Sequence, residues 1–176
     1  MSQLFGPVRQ MGYVVRDIES AMRSWTTALH IGPFYYVERV PGVDLRYQGA
    51  AGSPRVSLAL AYSGDLQIEL IQQHDQTPSS YLDFLAAGNE GLHHIGFFTE
   101  HYDLDLQRAA EAGLHVEQSA VLGDQVGKST YFSTNGHGEP VLGLLAVNAA
   151  IRDLYRMVHA EAGRWDGSGP VRRIEL

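Results

Sequence analysis

The chain has 176 residues, of which 44% are hydrophobic and 19% charged, and its net charge is −7. This composition is typical of one globular domain or two small fused modules, and the absence of a basic cluster argues against a nucleic-acid partner or a polybasic membrane anchor. The chain has no cysteine, which excludes disulfides, thiolate metal sites and cysteine nucleophiles. No apolar run approaches the ~18 residues of a membrane span and no signal-peptide pattern is present, so a cytoplasmic location without a membrane partner is expected.

The first half of the chain reads as a strand, a helix and further strands. A strand is predicted over 8–15, where β-branched and aromatic residues are frequent. Asp17 is the predicted N-cap of a helix in which apolar residues recur at helical spacing from Ile18 to Leu29. Residues 41–54 are rich in glycine and proline and are predicted to be mostly loop. Three more strands are predicted over 34–40, 55–62 and 66–72.

The last two strands of the first half alternate between bulky residues and small or polar ones. On the strand over 55–62, the bulky face is assigned to the core, which leaves Ser57 and Ala59 on the more open face. On the strand over 66–72, Gln67 and Glu69 lie opposite a face of leucine and isoleucine. The faces with room and polarity are predicted to line a pocket.

The second half repeats this order after a linker. A strand is followed by a helix that ends at Gly113, a residue type common just after helices, and Asn148 is the predicted cap of a last helix. Sequential copies of one supersecondary unit pack as related copies. The fold class is therefore α+β, with two tandem βαβββ modules forming a curved open-barrel sheet with a concave cleft, plus a C-terminal helix. The predicted segments are the modules 1–72 and 91–147, the linker 73–90, and the helix and tail 148–176.

The two halves open on similar stretches, each with a residue able to bind metal two places before a glycine. These residues are Gln10 before Gly12 and His94 before Gly96. The chain resembles the vicinal oxygen chelate superfamily, most closely its glyoxalase and methylmalonyl-CoA epimerase branch, over residues 8–147. The resemblance rests on Gln10-Met-Gly-Tyr-Val-Val-Arg-Asp-Ile, Asp65-Leu-Gln-Ile-Glu-Leu-Ile, Gly91-Leu-His-His-Ile-Gly and Pro140-Val-Leu-Gly-Leu-Leu.

The resemblance implies a divalent metal ion held by four side chains, two from each half. Matched residue by residue, these positions fall on Gln10, Glu69, His94 and Leu144. The first three could hold Zn, Ni, Co, Mn or Fe, whereas leucine stands where the family has a glutamate that is both ligand and base. If the alignment is shifted near the last strand, Glu139 is the substitute carboxylate. Each residue also has a plainer explanation, because Glu69 could lie on a solvated sheet face and His94 could be a core histidine.

Three functions are consistent with this pattern. The leading hypothesis is a metal-dependent lyase or isomerase acting on a small oxygen-rich carbonyl compound or thioester, with Glu69 as the candidate catalytic residue and the base otherwise open. The alternative is a metal-free protein that sequesters or carries an apolar small molecule, which Ser57, Ala59 and Leu144 on the pocket face would favour. A ring-cleaving dioxygenase is the third, and Gln10 in the first ligand position argues against it. As in neighbouring superfamily members, a homodimer is expected.

Overall fold

The fold is known from a computed structural model, which describes residues 2–40, 43–122, 127–133 and 140–175. Eleven strands in these ranges form one mixed sheet, and four helices accompany it. The strands are β1 Gln10–Val14, β2 Phe34–Val37, β3 Val43–Tyr47, β4 Ala50–Gly52, β5 Val56–Ser63, β6 Leu66–Gln73, β7 Gly91–Thr99, β8 His115–Leu122, β9 Gly127–Ser133, β10 Val141–Ala146 and β11 Val171–Arg173. The helices are α1 Ile18–Ala28, α2 Ser80–Ala86, α3 Tyr102–Glu111 and α4 Ala149–Ala162.

The sheet is nearly symmetric about its central strand pair. Its order is β11-β2-β5-β6-β1-β7-β10-β9-β8-β3-β4, so four strands of the first half and four of the second meet at the antiparallel β1–β7 contact. On either side of that contact, β6 runs parallel to β1 and β10 runs parallel to β7. The predicted α+β architecture, with one curved open sheet and a C-terminal helix, is confirmed.

Three short strands are absent from the sequence prediction. The β3–β4 hairpin lies in the segment predicted as loop, and β11 lies in the tail. Their partners are distant in sequence, because β3 pairs with β8 and β11 pairs with β2. Local patterning carries no information about such pairings, so only the folded chain reveals them. The hairpin extends the second half of the sheet although it belongs to the first half of the sequence.

Helices α1 and α3 cover the outer face of the sheet, whereas α2 and α4 contribute residues to its inner cavity. Asp17 and Asn148 accept hydrogen bonds from the backbone at the starts of α1 and α4, as the capping pattern predicts. Helix α1 buries an apolar cluster on the outer face of β5 and β6, and α3 buries a second one around Phe97 and Phe132. Helix α4 instead places Ile151 at the inner cavity of the sheet. In the described residues, no helix is long and apolar enough to cross a membrane.

Candidate functional site

At the centre of the sheet, strands β1 and β7 run antiparallel, and each carries a polar residue two places before a glycine. Gln10 lies opposite Gly96, and Gly12 lies opposite His94. Directly opposed residues share a face of the sheet, so each long side chain lies over the glycine of the other strand. A Cβ atom on Gly12 would lie 1.8 Å from Cε1 of His94, and one on Gly96 would lie 2.8 Å from Oε1 of Gln10. The two glycines therefore provide the space that the two polar side chains occupy.

Three polar side chains converge on one nitrogen atom, Nε2 of His94. Oε1 of Gln10 lies 3.1 Å from it, Oε2 of Glu69 lies 3.5 Å from it, and the Tyr131 hydroxyl also lies 3.5 Å from it. Gln10 and His94 are fully buried, and Glu69 is 8% exposed. The three residues predicted as metal ligands are thus brought together. Among the described residues, no three His, Cys, Asp or Glu side chains gather in this way, so a metal here would need the Gln10 amide.

A chain of amides fixes the orientation of Gln10. Its Nε2 donates to Oε1 of Gln67 over 2.7 Å, and Nε2 of Gln67 donates to the hydroxyl of Tyr62 over 3.0 Å. Burial raises the pKa of Tyr62 to about 12, so its hydroxyl stays protonated at neutral pH. Because the amide nitrogen of Gln10 is engaged on this side, its oxygen faces His94. Gln67 was predicted to line the pocket, but it is fully buried and, like Gln10 and His94, is not among the residues that line the cavity. It acts on the site through Gln10.

The neighbouring histidine offers His94 a hydrogen-bond partner. Burial, followed by the proximity of His94, lowers the pKa of His93 to about 3, so its ring is neutral and has a single proton. Nδ1 of His93 lies 3.3 Å from Nδ1 of His94. With the His94 proton on Nε2, the ring donates to Oε1 of Gln10 over 3.1 Å. With the proton on Nδ1, the ring can donate to His93 and Nε2 has the free lone pair that a metal ligand needs.

In the Nδ1–H tautomer of His94, the convergence point is a set of facing acceptors. The Nε2 lone pair, the Gln10 amide oxygen and the Glu69 carboxyl oxygen surround one space, and only the Tyr131 hydroxyl could donate a proton into it. Around a tetrahedral ion with bonds of about 2.1 Å, the ligand atoms lie about 3.4 Å apart. The distances from Nε2 agree with that spacing. The donor set therefore fits a small divalent cation.

The cavity beside this point is mostly apolar, and its volume is about 90 Å³. Glu69 and Tyr131 line it, whereas Gln10 and His94 are fully buried and are not part of its lining. In the described part of the chain, Glu69 is its only carboxyl group and Lys128, the single lysine of the sequence, its only basic group. Helix α4 contributes Ile151, Leu154 and Tyr155 to the lining. The apolar lining is drawn from both halves and the C-terminal region, and includes Val37, Leu45, Val56, Leu58, Leu60, Ile71, Leu122, Leu145, Ile151 and Leu154.

The pocket positions predicted on β5 are wrong. Ala59 is fully buried against the α1 cluster on the outer face, and Ser57 is bonded there to His74 over 2.7 Å. The register explains the error, because Leu60 pairs with Glu69 and must share its face. The bulky face of β5 lines the cavity, whereas its small residues let α1 approach closely. The prediction took bulky residues to mean core, but an apolar cavity is lined by the same residue types.

The predicted pocket position of Leu144 is also wrong, by one residue. Leu144 packs on the outer face with the α3 cluster, and the cavity is lined by Leu145. In the register, Glu69 lies beside Gly12 on the parallel neighbour of β1, and Gly143 lies beside Gly96 on the parallel neighbour of β7. Gly143, not Leu144, is therefore the counterpart of Glu69. The alternative carboxylate, residue 139, lies outside the described residues.

The family of this chain follows from comparison with known proteins. The glyoxalase/bleomycin resistance protein/dioxygenase superfamily matches residues 9–132, which is more than half of the sequence and includes Gln10, Glu69 and His94. The chain belongs to this superfamily. Among curated proteins, no sequence match was found.

Solved structures of superfamily-like folds agree with this assignment. Methylmalonyl-CoA epimerase from Mycobacterium tuberculosis is 15% identical, with a TM-score of 0.60 over 87% of this chain and 95% of that one. A hypothetical protein from Bacillus halodurans is 17% identical, with a TM-score of 0.58 over 81% and 94% of the two chains. A variant methylmalonyl-CoA epimerase from Streptomyces coelicolor, solved with 2-nitronate-propionyl-CoA, is 16% identical, with a TM-score of 0.55 over 82% and 96%. At such identities the likeness concerns the fold alone.

Two tyrosines at the site of this superfamily member were missed in the sequence. The hydroxyls of Tyr81 and Tyr131 lie 3.1 Å apart, and both rings line the cavity. Burial raises the pKa of each, followed for Tyr131 by the proximity of Tyr81, so both remain phenols at neutral pH. Nothing in their local sequence distinguishes them from the other tyrosines. Tyr131 is distinguished only by its position directly opposite Gly143, which becomes visible once the strands are paired.

The low pKa of His93 predicts a loss of stability in acid. Between pH 6.5 and 3 the unfolded chain binds a proton at this residue that the folded chain does not, so stability falls as the pH falls through this window. Between pH 7 and pH 5 the loss is about 2 kcal/mol, from 1.36 kcal/mol per unit of pKa difference. Urea unfolding of EDTA-treated protein at both pH values would measure it. A His93→Gln variant should lack this part of the pH dependence, and an unchanged dependence would contradict the prediction.

Proposed function

We propose that this superfamily member is a metal-dependent isomerase or lyase that acts on a small carbonyl compound or thioester with an apolar substituent. The observation that carries the proposal is the convergence of Gln10 Oε1 and Glu69 Oε2 on Nε2 of His94, beside an apolar cavity that Glu69 helps to line. A divalent ion held by these residues would act as a Lewis acid on a substrate carbonyl oxygen.

The residues of the chain divide the remaining work between them. Oε2 of Glu69 faces His94, which leaves Oε1 as the atom to take a proton from the carbon next to the substrate carbonyl. Gln67 holds the amide of Gln10 in place, and His93 holds the ring of His94. The apolar walls and α4 keep water from the reacting groups, which strengthens the electrostatic interactions among them.

A single carboxyl group in the cavity favours particular reaction types. An epimerase must remove a proton from one face of a carbon and deliver it to the other, which calls for two proton-transferring groups. In the described residues, Glu69 is the only carboxyl group that lines the cavity. A proton taken and returned by Glu69 stays on one face of the substrate. This favours an isomerisation or an elimination over an epimerisation.

Metal titration tests the proposed site. The EDTA-treated protein should bind about one equivalent of Zn, Ni, Co, Mn or Fe(II), with a rise in Tm, because an ion that binds only the folded state stabilises it. Glu69→Gln and His94→Gln should weaken binding at least 100-fold in calorimetry. The matched controls Glu111→Gln and His115→Gln change the same residue types at outlying positions of α3 and β8 and should bind as the wild type does. Absence of binding in the wild type, or equal binding in all five proteins, would refute the metal site.

Hydrogen exchange at carbon tests the chemistry without knowledge of the product. In D2O, the metal-loaded protein should exchange the protons next to the carbonyl in some member of a panel of aliphatic and aromatic hydroxyketones, 2-oxo acids and thioesters, followed by proton NMR. Glu69→Gln should abolish the exchange and Glu111→Gln should not. Equal exchange by the Glu69→Gln variant would exclude Glu69 as the base.

A metal-free binding protein for apolar small molecules is the second candidate. The apolar lining of the cavity favours it. If the side-chain amides of Gln10 and Gln67 were turned over, an N–H group of Gln10 would face His94, and no cation would be needed between the two residues. The exchange experiment separates the two functions. A carrier should protect its ligand from solvent in the cavity without exchanging any of its protons, and should retain affinity after EDTA treatment.

A further inference from the structure

The second half of the chain leaves a vacant position at the site. Glu69 and Gly143 occupy equivalent places in the two halves, since each lies on the strand parallel to its central neighbour, at the same register. A Cβ atom on Gly143 would lie 3.2 Å from Cδ2 of His94 and 3.3 Å from Cε1 of Tyr131. A side chain at this position would therefore point towards the convergence point, but glycine provides none.

The ring of Tyr131 takes up the vacant space. Tyr131 lies directly opposite Gly143 on the neighbouring strand β9, and the equivalent residue of the first half, opposite Glu69, is Leu60. Glu69 supplies its own oxygen to the site, so the residue opposite it, Leu60, does not have to contribute one. Beside a glycine, the larger ring reaches across and stacks near His94, with ring centroids 4.6 Å apart.

The hydroxyl of Tyr131 lies as close to His94 as the carboxyl group of Glu69 does. It lies 3.5 Å from Nε2 of His94, the same distance as Oε2 of Glu69. The hydroxyl of Tyr81, 3.1 Å away, holds it from behind. A hydroxyl oxygen has two lone pairs, so it can donate a hydrogen bond to Nε2 in the cation-free protein and also face a cation.

We propose that the Tyr131 hydroxyl is the fourth oxygen or nitrogen donor of the divalent-metal site, in place of the carboxyl group that Gly143 lacks. This inference rests on the proposed function, because it presupposes a metal held by Gln10, Glu69 and His94. The missing side chain of one strand is thus replaced by a side chain of the next strand.

Cobalt(II) binding and its visible spectrum test this role. Tyr131→Phe keeps the ring that fills the space over Gly143 and removes only the oxygen. We expect it to raise the Co(II) dissociation constant at least 10-fold and to shift the Co(II) absorption bands, which depend on the number and type of donors. Tyr155→Phe is the matched control, because it removes another phenol of the same cavity, one that is partly exposed and forms no hydrogen bond with His94 within the described structure. Its affinity and spectrum should equal those of the wild type.

A double variant provides a second, independent test. Tyr131→Ala combined with Gly143→Glu should recover Co(II) affinity relative to Tyr131→Ala alone, because the new carboxyl group would enter the space that the ring vacates. Thermal unfolding without metal shows which variants are folded. Unchanged affinity and absorption bands in Tyr131→Phe, with metal still bound by the wild type, would overturn the Tyr131 inference alone. A wild type that binds no Co(II) would overturn the proposed metal site, and this inference with it.

Discussion

Leu144→Glu is expected to destabilise the protein by about 4 kcal/mol or more, enough to unfold most marginally stable domains. Leu144 is 1% exposed and packs among Phe97, Ala109 and Phe132 on the outer face of the sheet. A carboxylate there would lose its hydration, and this apolar cluster offers it no basic partner. The substitution therefore tests directly whether this residue faces the helix or the site.

Urea unfolding followed by circular dichroism measures this effect. Leu104→Glu is the matched control, because Leu104 is 47% exposed on α3 and should tolerate the charge within about 0.5 kcal/mol. If Leu144 instead faced the cavity, the new glutamate would stand beside the other polar groups, and the variant would fold and gain metal affinity. A stable Leu144→Glu protein with tighter metal binding would thus overturn the register described for β10.

Gly12→Ala is expected to cost about 3 kcal/mol and to abolish metal binding. The added methyl group would overlap the His94 ring at 1.8 Å, and that ring is fully buried, so it has no free space to move into. Any accommodation must displace Nε2 from Gln10 and Glu69. The loss of metal affinity is therefore expected even if the fold survives, and calorimetric titration after a folding check would measure both consequences.

The control for this substitution is Gly127→Ala. Gly127 is also buried in a strand, but a Cβ atom there would make only an ordinary contact of 3.4 Å with Leu122. We expect a change below about 1 kcal/mol and an unchanged metal affinity. If both alanine variants bind metal equally well, the tight packing of His94 over Gly12 does not exist in solution.

Local patterns in the sequence, together with the superfamily resemblance, were sufficient for most of the elements and for three residues of the candidate site. Helices α1 and α4 follow from apolar spacing and caps, and the repeated arrangement of a polar residue two places before a glycine points to Gln10 and His94. Glu69 lies in an alternating strand and was singled out by the resemblance. These features depend only on residues close together in the chain, which is why the sequence reveals them.

Features that depend on the pairing of strands could not be predicted in the same way. Alternation assigns residues to two faces but does not say which face is the cavity, so Ser57 and Ala59 were placed on the wrong side. A shift of one residue exchanges the faces, and this separates Leu144 from Gly143. Tyr131 is significant only because β9 sets it opposite that glycine.

At the centre of the sheet, each half provides the glycine over which the polar side chain of the other half lies, and this has a consequence for how the two halves assemble. The cleft that receives His94 is supplied by Gly12 from the other half, and the cleft that receives Gln10 is supplied by Gly96. Neither half, separated from the other, possesses both a polar side chain and the recess that orients it. The proposed binding of a cation would consequently be a property of the two halves together, and metal affinity would report on whether they have come together.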